Sequence, residues 1–429
     1  MLQQTALAPP SMTALVLTAG GARGAYQAGV MKRISEIPAF ATGPAPFDII
    51  TGASAGAING AAIAASHHDF SAAAKLLVKL WSNLRACDVY RTDALSLLQN
   101  AGRMALDFTL GGLTGAGRVR SLVDAAPLYR FLDQSLDLTG IRRAVQQGNL
   151  YALAITATGY HSGRAFTFIE GKPGHPLWNK CRRVALPAEI TTRHVMASAA
   201  IPIVFPPVEL PVGKSNAFFG DGAMRLVTPL SPAIRLGARK LVAVGVRCQE
   251  SADSLLRSEW SSDEDFASDL KRPPLSQICG TLMNAIFLDH LDADLDHLKR
   301  MNAFVAEHEK LAALVDSPPM ETEPGHEPMR MVSPLAISPS ADIAIIAKTL
   351  QHRMPKSVRY LLEGLGTPDA QSADLTSFLL FDPAFTRELI QLGYKDAAQR
   401  SDEIEAFLRV PDGEQAEPMA TTSRVVAGS

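Results

Sequence analysis

The feature that most constrains this chain is a sharp turn between an apolar run and a run of small residues. Residues 47–51 (FDIIT) favour a β-strand, residues 52–56 (GASAG) a turn, and residues 57–65 (AINGAAIAA) a helix. Only small neighbours let the backbone bend enough to expose the Ser54 hydroxyl, as in a G-x-S-x-G nucleophile elbow. The helix would add free N–H groups and a positive dipole end beside an oxyanion. Taken alone, the pentapeptide fits a β-to-α turn with a capping serine equally well.

A second glycine-rich turn lies closer to the N-terminus. Residues 12–18 (MTALVLT) favour a buried strand and residues 19–24 (AGGARG) a turn, and the helix that follows is predicted to end near residue 37. Backbone N–H groups at such a turn suit a phosphate or an oxyanion. The dinucleotide fingerprint G-x-G-x-x-G is incomplete, because Ala19 replaces its first glycine and residues 40–46 contain no acidic residue. A P-loop is excluded, because no G-K-[ST] follows.

Two later blocks complete an ordered set of four. Residues 197–207 read ASAAIPIVFPP, and Asp221 begins the tripeptide DGA. Together with the two turns, these blocks resemble the patatin-like phospholipase family, in which a G-G-G-x-R-G loop, a G-x-S-x-G elbow, an S-A-x-x-P-x-x-F-P-P segment and a D-G-[GA] motif follow one another. The resemblance covers roughly residues 13–246. Its one departure is Ala19 at the first loop glycine, which matters only if that position needs a positive φ or a very close ligand approach.

The resemblance implies a mechanism without histidine. Asp221 takes the proton from Ser54, Ser54 attacks an ester carbonyl to form an acyl-enzyme, and water releases the acyl chain. Because a carboxylate with an ordinary pKa of about 3.9 is a poor base toward a hydroxyl, the site must raise that pKa, for example by removing the carboxylate from water. The implied oxyanion hole consists of Gly20, Gly21, Ala22, Arg23 and Gly24, and the implied supporting glycines are Gly52, Gly56 and Gly222. For Arg23, a contact with a phosphate and a salt bridge that holds the loop both stay open.

The implied substrate is an acyl ester of a lipid, with a phospholipid or a lysophospholipid favoured. Transient contact with a membrane surface is implied as well. Acyl transfer to an acceptor other than water uses the same serine chemistry and stays open as an alternative. A lipid-binding or scaffold protein that keeps the fold without catalysis is the other alternative.

A Ser-His-Asp triad and a metal site are the rival interpretations. A triad would need a histidine after Asp221, and the candidates are His290, His297, His308, His326 and His352. The first three fit solvated helix positions, and His326 lies in a Pro- and Glu-rich stretch. Aspartates at 292, 294 and 296 mimic the start of an EF-hand but lack its glycine and its final glutamate. The four cysteines form no C-x-x-C pair, so we expect no metal, no calcium dependence and no cofactor.

Composition excludes several other classes of protein. The 429 residues are 47% hydrophobic and carry a formal net charge of −2, which gives no overall footprint for nucleic acid. No apolar run approaches the roughly 18 residues of a membrane span, and the first residues lack the features of a signal peptide. We therefore predict a cytoplasmic protein with peripheral contact at the inner face of the membrane and no nucleic-acid partner.

Strands and helices alternate along the first half of the chain, which predicts an α/β fold. The resemblance implies a patatin-like three-layer fold with a central, mainly parallel sheet, followed by a mostly helical C-terminal region. Within that region, apolar residues at helical spacing predict one long amphipathic helix over residues 276–310. The predicted boundaries are 1–11 for a flexible leader, 12–247 for the catalytic domain, 248–275 for a linker or lid, 276–410 for the C-terminal region with an added strand at 329–337, and 411–429 for a disordered tail.

Overall fold

A computed structural model gives the fold of residues 11–91, 121, 123–248, 275–288, 290–315, 330–364 and 373–409. The predicted tail and almost all of the predicted leader and linker lie outside these residues, as does His326.

The strands of the described residues form one ten-stranded sheet. They are β1 (Met12–Leu17), β2 (Ile49–Ala53), β3 (Ala152–Gly159), β4 (Arg164–Gly171), β5 (Asn179–Lys180), β6 (Arg183–Pro187), β7 (Val208–Val212), β8 (Ser215–Asp221), β9 (Ala238–Val244) and β10 (Ser333–Ile337). Their order is β10-β9-β1-β2-β3-β4-β6-β5, and β8 pairs with both β3 and β7. The strands from β10 to β3 run parallel, whereas β4 and β8 run antiparallel to β3.

The helices fall into an N-terminal and a C-terminal set. The first set is α1 (Ala25–Ser35), α2 (Ala55–Ala65), α3 (Phe70–Asn83), α4 (Ala86–Val89), α5 (Ala126–Ser135), α6 (Thr139–Gln146), α7 (Thr192–Ser198) and α8 (Ser231–Arg235). The second set is α9 (Leu275–Phe287), α10 (His290–Val315), α11 (Ile343–Leu350), α12 (Lys356–Glu363), α13 (Ala373–Leu379), α14 (Pro383–Gln399) and α15 (Ser401–Arg409). Short 3₁₀ turns occur at Gly21–Gly24, Pro38–Phe40, Gly222–Met224 and Gln351–Arg353.

The central strands are apolar throughout because helices cover both faces of the sheet. Along β1, Leu15 and Leu17 belong to one buried cluster, and Ala14 and Val16 belong to the other. This alternation follows from the two-residue period of a strand. Helices α1, α2 and α14 contribute to the first cluster, whereas α8 and α10 contribute to the second. The α/β architecture with a mainly parallel sheet and a helical C-terminal region is therefore confirmed.

The C-terminal region packs onto the same sheet and helices. Strand β10 extends the sheet beside β9, and α14 crosses α1 where both helices carry a glycine. A Cβ atom on Gly29 would lie 2.0 Å from the carbonyl oxygen of Ile390, and a Cβ atom on Gly393 would lie 2.2 Å from that of Tyr26. The absence of side chains at these glycines lets the two helix backbones approach each other.

The predicted single helix over residues 276–310 is wrong, because the chain forms two helices there. Leu288 closes α9 by donating its amide to the carbonyl of Asn284 at 2.8 Å, and α10 begins at His290. The two helices bury their apolar residues in different places. Phe287 belongs to the first buried cluster, whereas Leu291 belongs to the second. Hydrophobic spacing alone does not reveal this break.

Candidate active site

Strand β3 brings the two predicted catalytic residues together. The last residue of β2, Ala53, pairs with Thr156, and the last residue of β8, Asp221, pairs with the next β3 residue, Ala157. Successive residues of a strand are about 3.3 Å apart along its axis. Strands β2 and β8 therefore end opposite neighbouring positions of β3, and Ser54 follows directly on β2. Backbone pairing within the sheet places the serine and the aspartate side by side, although 167 positions separate them in the sequence.

The backbone at Ser54 is strained. Its φ of 55° and ψ of −125° lie outside the regions that residues with a Cβ atom prefer, and such a conformation costs about 1–3 kcal/mol. The turn is also crowded, because a Cβ atom on Gly56 would lie 2.1 Å from the carbonyl oxygen of Leu17 and one on Gly52 would lie 2.3 Å from that of Gly56. The glycines at both positions are therefore required by space. Helix α2 begins at Ala55, so its positive end lies beside the serine.

A second serine holds the turn in place. The amide of Ser54 donates to the Ser198 hydroxyl at 3.0 Å, and that hydroxyl donates to the carbonyl of Thr156 at 2.6 Å. Ser198 is completely buried in α7, so these bonds replace water. In the sequence, Ser198 stands out only as a member of the third block. Its position within that block was the one signal that could have identified it.

Asp221 lies in an environment that favours its neutral form. The residue is completely buried, its Oδ1 atom accepts a hydrogen bond from the Ala223 amide at 2.9 Å, and its Oδ2 atom has no hydrogen-bond partner among the described residues. Burial raises the pKa of Asp221 to about 7, and the nearby Ser54 hydroxyl and the Ala223 amide oppose this shift. Oδ2 is thus the atom left to receive a proton. Catalytic hydrogen bonds are often poorly aligned in enzymes without substrate.

The loop at residues 20–24 lies against this pair. Gly21 and Ser54 line the same pocket, and Gly24 packs so closely on Ala55 that a Cβ atom on Gly24 would lie 2.6 Å from the Ala55 methyl group. Among the described residues, the amides of Gly21 and Ala22 donate to no backbone carbonyl. Two of the predicted oxyanion donors thus have no backbone acceptor within the described part of the chain.

The loop tolerates the departure from the family pattern at Ala19. Among the described residues, the only positions other than glycine with a positive φ are Ser54 and Ile203. Ala19 therefore does not need the conformational freedom of the glycine that it replaces.

Arg23 turns away from the pocket and pairs with the C-terminal region. Its Nη2 atom lies 2.7 Å from Asp374 Oδ1 in a salt bridge, and its side chain is 3% exposed. Burial lowers the pKa of Arg23, and the charge of Asp374 opposes this shift. Of the two roles considered for Arg23, the geometry favours the salt bridge that holds the loop.

A family model described as patatin-like phospholipase matches residues 15–234, which is just over half of the chain. The chain belongs to the patatin-like phospholipase family. The resemblance inferred from the four sequence blocks is thus confirmed, and membership in this family supports lipid hydrolase activity. A comparison with curated proteins gives no significant match.

Solved structures with low overall similarity include VipD from Legionella pneumophila, at 12% identity and a TM-score of 0.33, over 92% of this chain and 67% of that one. A human GIVD cytosolic phospholipase A2, in complex with a fluorophosphonate inhibitor, gives 12% identity and a TM-score of 0.38, over 93% of this chain and 59% of that one. Full-length ExoU of Pseudomonas aeruginosa in complex with SpcU gives 15% identity and a TM-score of 0.23, over 87% of this chain and 77% of that one. The family assignment rests on the family model and not on these likenesses.

A buried asparagine connects the patatin elbow to the loop. Asn59 lies one turn into α2, where it donates to the carbonyl of Gly24 at 3.0 Å and to Gln27 Oε1 at 2.8 Å. Its Oδ1 atom accepts a hydrogen bond from the Trp81 indole at 2.7 Å. Asn59 belongs to none of the four sequence blocks. The signal was a lone polar residue in a helix of small apolar ones.

An apolar pocket opens at Ser54 of the patatin domain. Side chains of α2, α3, α5 and the segment after α7 form its walls. One wall residue, Phe381, comes from the C-terminal region, outside the residues that the family model matches. The walls suit a hydrocarbon chain, because they present almost no polar surface.

The rival sites gain no support from the geometry. Within the described part of the chain, the hydrogen bonds made by Ser54 and by the Asp221 carboxyl involve no histidine. A search of the same residues finds no group of three or more His, Cys, Asp or Glu side chains that could hold a metal ion. None of the described helices combines the length and the hydropathy needed to cross a bilayer.

Proposed function

We propose that the protein hydrolyses acyl esters of phospholipids or lysophospholipids, with Ser54 as nucleophile and Asp221 as its base. The observation that carries the proposal is the burial of Asp221 beside Ser54, which raises the pKa of the carboxyl to about 7. A base with a pKa near the working pH is deprotonated in a large fraction of molecules and still basic enough to take a hydroxyl proton. An ordinary surface aspartate would lack that basicity.

The reaction proceeds in two steps that mirror each other. Ser54 Oγ attacks the ester carbonyl carbon while Asp221 Oδ2 takes the hydroxyl proton, and the negative oxygen that forms is bound by the amides of Gly21 and Ala22. The bond to the leaving alcohol then breaks, and Asp221 returns the proton to that alcohol. In the second step, water attacks the acyl-serine, Asp221 takes its proton, and the fatty acid leaves as Ser54 is reprotonated.

The acyl chain would occupy the apolar pocket beside Ser54. Burying a methylene group contributes about 0.8 kcal/mol, so a long chain gains more from this pocket than a short one. This preference supports a lipid substrate over a small soluble ester. No feature of the described residues selects the head group.

Ile203 marks the surface proposed to contact the membrane. It lies between Ile201 and Phe205, which line the pocket, and it is 64% exposed with a φ of 70°. A β-branched residue rarely adopts a positive φ, and such strain tends to persist at functional sites. An exposed apolar side chain between two pocket-lining residues of the same segment suits the headgroup boundary of a bilayer. We therefore propose peripheral membrane contact at Ile203.

Ile203→Asn tests the membrane contact, because asparagine tolerates a positive φ and is polar. We expect the rate on phospholipid vesicles to fall several-fold relative to the rate on a short soluble ester, with no loss of thermal stability. Ile345→Asn, which changes an apolar side chain that is 62% exposed on α11, serves as the control. An equal ratio of the two rates in wild type and in both variants would exclude a role for Ile203.

Release of fatty acid from phospholipids, lysophospholipids, acylglycerols and a p-nitrophenyl ester tests the catalytic proposal. We expect Ser54→Ala to lower the rate by at least about a thousandfold, because the nucleophile is removed. Ser35→Ala removes another buried hydroxyl, which donates only to the Lys32 carbonyl, and is expected to keep the wild-type rate. Both variants are first compared with wild type by circular dichroism.

The outcomes separate the alternatives. Equal turnover by folded wild type and Ser54→Ala would exclude Ser54 as the nucleophile. Ester cleavage that yields an acylated alcohol instead of free fatty acid would identify an acyltransferase. A folded wild type that binds lipid but cleaves none would favour a lipid-binding or scaffold role.

A further inference from the structure

Contacts from a distant part of the chain hold the loop that carries the predicted oxyanion donors. Arg23 donates from Nε to the Ser377 hydroxyl and from Nη2 to Asp374 Oδ1, both at 2.7 Å. Both acceptors lie in α13, outside the residues that the family model matches. Because the Arg23 side chain is 3% exposed, water cannot readily replace either partner.

Helix α13 also packs directly on the loop backbone. Gly21 has a φ of +55°, and a Cβ atom there would lie 2.5 Å from the carbonyl oxygen of Phe378. The guanidinium carbon of Arg23 lies 4.6 Å from the centre of the Phe378 ring. On its other side, Asp374 accepts a hydrogen bond from Asn284 of α9 at 2.7 Å. The loop, α13 and α9 therefore meet at Asp374.

We infer that Asp374 is a positioning residue that fixes the oxyanion loop through Arg23. The inference rests on the proposed function, because it assigns a catalytic consequence to the loop. Without the carboxylate, Arg23 is a buried charge that has lost its salt-bridge partner and gains by moving toward water. The loop backbone would move with it, and a misplacement of about 1 Å can cost on the order of a hundredfold in rate. Asp374 does not line the pocket, so it acts on the rate and not on substrate binding.

Asp374→Asn tests the inference, because it keeps the shape of the side chain and removes its charge. We expect kcat on a soluble p-nitrophenyl ester to fall about tenfold to a hundredfold while KM stays within about twofold. The matched control is Asp396→Asn in α14, which removes a buried carboxylate that accepts from Tyr26 and Ser340. We expect this control to keep the wild-type kcat.

A double-mutant cycle separates positioning through Arg23 from a general loss of stability. If Asp374 acts through Arg23, Asp374→Asn has little further effect on kcat in an Arg23→Met background. Should Asp374→Asn fail to fold, Ser377→Ala removes the other acceptor of Arg23 and takes its place in the cycle. Additive effects on kcat, or equal losses in both Asp→Asn variants, would overturn the inference.

Hydrogen exchange provides a readout that does not depend on activity. We expect amides of residues 20–24 to exchange faster in Asp374→Asn than in wild type or Asp396→Asn. If wild type cleaves no ester, the proposed function fails, yet this comparison still tests whether Asp374 fixes the loop. If wild type is active and Ser54→Ala is not, unchanged kcat and unchanged exchange in Asp374→Asn refute the positioning role alone.

Discussion

Ser54 and Asp221 are placed by the main chain, whereas the loop at residues 20–24 is placed by side chains. The pair lies where β2 and β8 end on neighbouring residues of β3, so ladder hydrogen bonds set its geometry. The loop instead depends on a salt bridge between Arg23 and Asp374 and on the packing of Phe378. A sheet ladder survives most side-chain substitutions, but a single buried ion pair does not. We therefore expect the two parts of the site to fail in different ways.

The two parts also differ in where their contacts originate. The paired strands that place Ser54 and Asp221, and Ser198 beside them, lie within the residues matched by the family model. The partners of Arg23 and the pocket wall at Phe381 lie beyond that match. In this protein the patatin domain and the C-terminal helices thus both contribute to the candidate site.

Asp221→Asn is expected to have the largest effect on activity, and it changes the pair formed by Ser54 and Asp221. General bases contribute about 10²- to 10⁴-fold to rate, so activity should fall by that factor without disturbing the strand pairing. In wild type, kcat/KM should rise with pH and level off above about 7, because Asp221 must be deprotonated to act. A pH profile that is flat from pH 5 to 9 would exclude Asp221 as the base.

The same variant should change how stability depends on pH. Folding raises the pKa of Asp221 from 3.8 to about 7, so between these values the native state holds a proton that the unfolded state has lost. The free energy of unfolding of wild type therefore falls across this range as pH rises, by up to about 4 kcal/mol. Asp221→Asn lacks this contribution. Urea unfolding at several pH values measures this dependence. The free energy of unfolding should fall less with rising pH in Asp221→Asn than in wild type. The same dependence in both proteins would contradict the raised pKa of Asp221.

Ser198→Ala tests whether strand pairing alone keeps the turn at Ser54 in place. The substitution removes the acceptor of the Ser54 amide and one donor to the Thr156 carbonyl, and a buried amide without a partner costs about 1–3 kcal/mol. We expect kcat to fall about tenfold, because the strained turn at Ser54 loses its support. Ser35→Ala is the control, since it loses one hydrogen bond to a helix carbonyl. A wild-type kcat in Ser198→Ala would show that strand pairing suffices.

Phe381→Leu is expected to have the smallest effect on activity. It changes the pocket wall residue that comes from the C-terminal region. The shorter side chain enlarges the pocket, so the ratio of kcat/KM for a twelve-carbon ester to that for a four-carbon ester should change about three- to tenfold. Phe385→Leu alters a fully buried ring in α14 that does not line the pocket. If both variants change the ratio equally, the effect arises from packing and not from the pocket wall.

The sequence by itself determined the fold class, the family and the two candidate catalytic residues. The turn at residues 52–56 is readable because small residues, a preceding strand and a following helix are all local features. The buried strand β1 follows from a short apolar run in the same way. The assignment of Ser54 and Asp221 to catalysis stays a prediction until it is measured.

Only the tertiary structure decided what holds that site together. The residues around Ser198, Asn59 and Asp374 form no local pattern that predicts their partners. Each of the three makes a hydrogen bond with a residue that is far away in the sequence. The break between α9 and α10 is likewise invisible in the hydrophobic spacing, and the two helices contribute to separate buried clusters. Hydrophobic periodicity predicts which residues are buried, but it does not predict which buried residues contact each other. Contacts between distant segments are set by the packing of the whole chain.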